Sequence, residues 1–186
     1  MLASASPRRA ELLRAAGYHF DVLPVHVDEA AMLGEAPAEY VRRLAAEKSV
    51  RAMGVVADDD VIVLGADTTV VVDGGILGKP RDDVEAAAML RRLSGRRHDV
   101  ATGVSLRRGD LEVGRVEWTA VNFSLLGDDD IRWYVESGEG RDKAGAYAIQ
   151  GLAARFIPRI EGSYSNVVGL PVACVQDLLT ILASQK

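Results

Sequence analysis

Val61-Ile62-Val63-Leu64-Gly65-Ala66-Asp67-Thr68-Thr69-Val70-Val71-Val72 is a pair of apolar, β-branched runs with one carboxylate set between them. The first run, without polar alternation, reads as a central strand buried on both faces; the second resumes strand character before the Gly74-Gly75 turn. The first would deliver Asp67 to the carboxyl end of a strand, where ligand sites of open α/β sheets gather. A carboxylate flanked by apolar sequence is costly unless it is paired or binds a cation. Asp67 is therefore the leading candidate for chemistry, as a metal ligand, a base toward water, or both. The competing reading is a turn aspartate bonded to its own backbone.

Helical patterns surround this stretch. Ser6-Pro7 predicts a helix with serine as N-cap and proline at its first position, ending at Gly17. Phe20 to Val25 alternates like a strand. Pro37 opens a longer amphipathic helix, with Tyr40, Val41, Leu44, Ala45 and Val50 on one face and Gly54 at its end. Asp82-x-x-Glu85 resembles a capping box before a helix to about Leu93. Strands are expected over Val100 to Leu106 and Glu112 to Leu125, joined by Gly109-Asp110. A helix follows over Asp128 to Ser137, then a strand over Phe156 to Ile160 and a final apolar helix over Leu170 to Leu182. Helices alternating with strands favour an α/β fold. With no repeat or linker, the expectation is one domain over residues 1–186.

The 186 residues are 48% hydrophobic, enough to bury one sizeable core without disulfides or metal staples. A net charge of -5 argues against a sequence-independent DNA or RNA binder, which needs a basic face. A small anionic ligand needs only a local cluster of cations. The single cysteine, Cys174, reads as a small buried hydrophobe and builds no disulfide framework. The N-terminus carries no secretory pattern, and no apolar run approaches the ~20 residues of a membrane helix. The expectation is a soluble protein of a reducing cytoplasm.

Ser4-Ala5-Ser6-Pro7-Arg8-Arg9 places hydroxyls and guanidiniums at a helix start, where unpaired N–H groups and the positive dipole end favour an anion. Arginine adds a planar fork for a phosphate. The plainer reading is a serine cap with two solvated arginines. Gly78-Lys79-Pro80 would project an ammonium from a stiff turn. Glu29, Glu47 and Lys48 read as surface charges unless the fold brings them near Asp67. His98 lacks a metal-ligand partner at suitable spacing and reads as structural. In Asp142 to Gly151, small residues allow close backbone approach, and the Gln150 amide both donates and accepts. Gly162 to Asn166 reads as a plain loop. The phosphate loop, the strand-linked dinucleotide fingerprint and the His-Glu-x-x-His motif are absent.

In order, Ser-x-Ser-Pro-Arg-Arg from Ser4, Gly-Ala-Asp-Thr from Gly65, Gly-Lys-Pro from Gly78, Gly-Arg-x-His-x-Val-x-Thr-Gly from Gly95, Lys-Ala-Gly-x-Tyr-x-Ile-Gln-Gly from Lys143 and Val-Val-Gly-Leu-Pro from Val167 resemble the Maf family. The resemblance implies an α/β fold related to the inosine triphosphate pyrophosphatases, a mixed sheet with flanking helices and two lobes around a cleft. It also implies a divalent cation, magnesium or manganese, and a homodimer. By it, Asp67 is the proton acceptor, and Arg8, Thr68 and Gln150 determine substrate choice. Arg9, Glu29, Lys48 and Lys79 match other charged positions of the family's cleft; Ser4 is a further candidate for substrate binding, and Glu29 the candidate for sharing the metal with Asp67. The family's first strand is a few residues longer than Met1-Leu2 allows.

Relatives resembling 7-methylguanosine triphosphate pyrophosphatases carry Ser-Glu-Gly where this chain has Ile149-Gln150-Gly151. A glutamate only accepts hydrogen bonds, which suits the N1–H and amino donors of guanine. A glutamine offers a donor and an acceptor, matching the N3–H and carbonyl edge of uracil and thymine. The resemblance with this reading implies hydrolysis of UTP and dTTP, with modified pyrimidine triphosphates as further candidates, to the monophosphate and pyrophosphate by in-line attack of water at the α-phosphorus. The competing expectations are the 7-methyl-GTP activity, or a regulator of septum formation that acts by binding a partner.

Overall fold

In the computed structural model, which describes residues 1–58 and 60–185, the two apolar runs form one uninterrupted strand, β1 (Val63–Val72). Asp67 thus lies in the strand interior rather than at a carboxyl end. Gly65 does not break the strand; it clears room for a helix. A Cβ on Gly65 would stand 2.2 Å from the Ala45 carbonyl oxygen and 2.8 Å from the Ser49 backbone nitrogen, both in α2 (Pro37–Met53). Gly103, in β3 (Arg97–Arg108), does the same: its Cβ would stand 2.2 Å from the Val41 carbonyl oxygen. Helix α2 therefore rests backbone to backbone on two neighbouring strands, closer than any side chain permits.

The sheet has five strands in the order β2-β1-β3-β4-β5, with β2 at Gly75–Leu77, β4 at Leu111–Asn122 and β5 at Arg159–Glu161. β1 pairs antiparallel with β2, and β4 with β5, while Leu2 makes parallel bridges to Val22 and Leu64. The fold is thus mixed α/β, a sheet with helices α1 (Pro7–Ala15), α2, α3 (Asp83–Leu93), α4 (Asp128–Glu136), α5 (Tyr164–Val168) and α6 (Val172–Ser184).

The capping box expected at α3 forms by half: Asp82 accepts from Glu85 N–H at 2.8 Å, while Glu85 Oε2 accepts from Arg81 N–H, at 2.7 Å. Other local expectations differ. Ser6 is the N-cap of α1 but its side chain makes no cap bond; Ser4 Oγ accepts its N–H instead, at 3.2 Å. Phe20 to Val25 shrinks to the single bridge at Val22. Val50 is 52% exposed, off the buried face of α2. The strand near Ile160 starts only at Arg159, after a 3-10 stretch over Leu152–Phe156, and the loop expected at 162–166 turns into α5.

The residues divide into two compact units, one of Met1–Thr68, Thr102–Glu117 and Gly169–Lys186, the other of Thr69–Ala101 and Trp118–Val168. The first has a core of Leu2, Leu13, Leu64, Val104, Leu170 and Leu178 among others, with Cys174 buried as expected. In the second, Val70, Leu90, Val100, Phe123, Tyr134 and Phe156 form the core. Among the described residues no helix is long and apolar enough to cross a membrane.

His98 belongs to the second core, 2% exposed, its Nε2 2.8 Å from the Tyr147 hydroxyl and its ring edge-on to Phe123 and Tyr147. Burial pulls its pKa from 6.5 down to about 4. A proton is then taken up by the unfolded chain at higher pH than by the folded one. Stability from this residue is full above pH 6.5 and falls as pH drops from 6.5 to 4, by about 1.4 kcal/mol per pH unit and about 3 kcal/mol in all. Urea midpoints between pH 7.5 and 4.5 should show this fall, and His98→Asn should flatten it.

Candidate active site

The first unit gathers two linked polar groups around β1. In one, Arg9, 8% exposed, donates from Nε to the Gly169 carbonyl at 2.8 Å, from Nη1 to Ser4 Oγ at 3.1 Å and from Nη2 to Thr68 Oγ1 at 3.2 Å. Thr68 donates its one proton to the same Gly169 carbonyl at 3.1 Å, so the Thr102 hydroxyl, 2.9 Å away, must be the donor to Thr68. Ser4, Arg9 and Thr68, expected together, are together. The fork of Arg9 is turned largely onto the chain itself, so it fixes Ser4 and Thr68 as well as supplying charge. Burial lowers its pKa, and the charge of Asp67 acts against that. Arg8, half-buried, is the neighbouring residue in the first turn of α1.

The second group centres on Lys48, whose Nζ donates to Asp67 Oδ1 at 2.6 Å and to Glu29 Oε1 at 2.9 Å. The lysine and Asp67 side chains are 8% and 10% exposed, and that of Glu29 is 47% exposed. Helix α2 delivers Lys48 because its seat on Gly65, at Ala45 and Ser49, brackets this position. α2 also ties down the segment carrying Glu29: the Tyr40 hydroxyl donates to the Glu29 carbonyl at 2.9 Å, and Arg43 donates to the Ala30 carbonyl at 3.1 Å and to Glu35 Oε1 at 2.6 Å. Burial, with the negative charges of Asp67 and Glu29, pushes the Tyr40 hydroxyl up to about 12. Of the three ambiguous charges in the sequence, Lys48 reaches Asp67 and Glu29 joins it through Lys48, whereas Glu47 pairs with Arg43 at 3.2 Å.

Lys79 and Gln150 belong to the second unit, and both are exposed. The turn bearing Lys79 is held by Gly145 N–H, which donates to the Gly78 carbonyl at 3.0 Å. Gly145 has a φ of +70°, and a Cβ there would meet Val70 Cγ2 at 2.8 Å, so only glycine fits. Gln150 stands in the turn just before the 3-10 stretch.

Sequence reasoning missed Tyr40, Thr102 and the Gly169 carbonyl. Thr102 and Gly169 stand inside quoted motifs, so their pattern was visible without their role. Tyr40 carried no signal beyond its place on the apolar face of α2.

Residues 1–182 match the family described as Maf-like protein. The chain belongs to the Maf family. It is 56% identical over 180 residues to a dTTP/UTP pyrophosphatase of Symbiobacterium thermophilum, covering 97% of this chain and 92% of that protein. Proteins of the same name from Syntrophus aciditrophicus, 49% identical over 99% of this chain and 90% of theirs, and Anaeromyxobacter dehalogenans, 51% identical over 96% and 91%, are similar along the same length. The motifs quoted for the Maf resemblance thus fall within a match that spans both compact units.

Proposed function

We propose that this Maf protein hydrolyses dTTP and UTP to the nucleoside monophosphate and pyrophosphate. The observation that carries the chemistry is the buried carboxylate of Asp67, held by Lys48 at 2.6 Å beside Glu29 and the guanidinium of Arg9. The name shared by relatives matching nearly the whole chain supports the substrate.

In this reading a water oxygen bonds to the α-phosphorus as the bond from that phosphorus to the bridging oxygen of pyrophosphate breaks, and Asp67 takes the water proton. Arg8, Arg9, Lys48 and Lys79 offset the triphosphate charge, so the protein's task is mostly positioning and charge neutralisation. Ser4 and Thr68, set by Arg9, add hydroxyls beside that charge. Gln150 offers its amide to the base edge.

Asp67 and Glu29, both oxygen donors on one ammonium, suit a hard divalent cation such as magnesium or manganese, which is commonly bound by one or two carboxylates plus phosphate oxygens and water. Among the described residues no group of three or more His, Cys, Asp or Glu gathers. When bound, such an ion supplies charge stabilisation at phosphate oxygens. A homodimer, and work in the cytoplasm on nucleotide pools or septum formation, complete the reading on the family resemblance.

The test is pyrophosphate release by the purified protein with magnesium or manganese across dTTP, UTP, CTP, 7-methyl-GTP and ITP, with the monophosphate identified. Turnover led by dTTP and UTP is expected. Turnover led by 7-methyl-GTP would overturn the substrate, and no turnover by folded, metal-supplied protein would overturn the reaction. In the same assay Gln150→Glu, which removes the donor and faces a carbonyl with a carboxylate, should lower kcat/KM for UTP about tenfold or more.

A further inference from the structure

One pair of side chains grips the backbone on both sides of Gln150. Tyr134, in α4 and 1% exposed, accepts from Ala148 N–H at 3.0 Å and donates its own proton to Glu139 Oε2 at 2.7 Å. The other oxygen of that carboxylate accepts from Leu152 N–H at 3.0 Å. The two backbone bonds therefore land two residues before Gln150 and two after it.

Gly151 makes this grip possible. A Cβ there would lie 1.8 Å from Glu139 Oε1 and 2.4 Å from its carboxyl carbon, so the carboxylate occupies the space that any other residue would fill. The pair is itself seated. Glu139 N–H donates to Ser137 Oγ at 3.2 Å, and Ser137 Oγ donates to the Tyr134 carbonyl at 2.5 Å. The Tyr134 ring stands edge-on to Phe156, at 5.9 Å between centroids, and Phe156 closes the 3-10 stretch that follows Gln150. Burial and the bond to Glu139 raise the Tyr134 hydroxyl's pKa above its ordinary value.

We infer that Tyr134 and Glu139 are positioning residues that fix where the Gln150 amide stands, and thereby set base discrimination without touching the nucleotide. The inference rests on the base-reading role proposed above for Gln150. A donor and an acceptor presented together to one base edge select only while both stay aligned. A surface glutamine on an unanchored turn would lose that alignment to side-chain and backbone freedom.

The test uses Tyr134→Phe, which keeps the ring and its packing and removes only the hydroxyl, and Glu139→Gln, which keeps an acceptor for Leu152 but loses the oxygen that takes the Tyr134 proton. KM and kcat are measured for dTTP, UTP and CTP, with inhibition by inorganic tripolyphosphate, which carries phosphate charge and no base. Tyr134→Phe is expected to raise KM for dTTP and UTP and to lower the UTP-over-CTP ratio of kcat/KM, each about tenfold, with kcat and tripolyphosphate inhibition within about twofold of the parent. Glu139→Gln should move the same quantities less, and hydrogen exchange at the Ala148 amide should quicken in Tyr134→Phe. If the parent discriminates between bases and both variants keep its KM and ratio, the positioning role is overturned. It is equally overturned if tripolyphosphate inhibition weakens in step with KM, since that marks a general loss of structure. A parent without base preference overturns the reading of Gln150 first, and this inference with it.

Discussion

Asp67→Asn is expected to lower kcat for dTTP by about 10²- to 10⁴-fold, the range over which a positioned general base acts. Asparagine has nearly the same volume and can still accept from Lys48, so β1 and its packing should persist. What it loses is the basicity and the charge. The buried Lys48 ammonium is then compensated by Glu29 alone, whose side chain is 47% exposed. The stability cost should be about 1–3 kcal/mol, below the 3–5 kcal/mol typical of a wholly abandoned buried charge. Pyrophosphate release and urea denaturation of the same preparation separate the two effects. A folded Asp67→Asn protein that keeps near-parental kcat would remove Asp67 from the chemistry.

Gly65→Ala should act just as strongly through geometry alone. The new methyl would meet the Ala45 carbonyl at 2.2 Å and the Ser49 nitrogen at 2.8 Å, and both are backbone atoms of α2 with no rotamer in which to retreat. Either the helix lifts or the strand bows, at a cost of about 3 kcal/mol or more, the upper end of overpacking. Lifting α2 also carries Lys48 away from Asp67, and a displacement near 1 Å can cost about 10²-fold in rate. The expected outcome is a lowered urea midpoint with a loss of kcat that persists well below it, where the variant is folded. A folded variant with parental kcat would show that the seat of α2 does not set the Lys48 to Asp67 distance.

The same glycine marks where sequence reading stops. Gly-Ala-Asp after four apolar residues reads locally as a strand running out into a turn, because glycine inside a strand is usually a weakness. Only the arrival of α2, encoded some twenty residues earlier, makes Gly65 part of a continuous strand. Helix starts were legible because Pro7, Pro37 and Asp82 act on their own neighbours. The strand character of Phe20 to Val25 was overestimated because a strand needs a partner of matching length, and Leu2 offers one bridge. At the site, the motifs named Ser4, Arg9, Asp67 and Thr68, but not the direction of the Arg9 fork, which depends on a carbonyl 160 positions away. Glu29 and Lys48 looked like ordinary surface charges. Burial of Lys48 against β1, invisible in its flanking residues, is what separates it from Glu47.

Backbone-on-backbone contact at Gly65 and Gly103 has a consequence for how the protein can change over time. A helix held off a sheet by side chains moves whenever those side chains are exchanged, so each core substitution would retune the distance between Lys48 and Asp67. Here the spacing is set by main-chain atoms common to every residue. The leucines and valines around the contact are free to drift in size and shape while the reactive pair keeps its separation. The heritable constraint is concentrated in two hydrogens that stand where side chains would be.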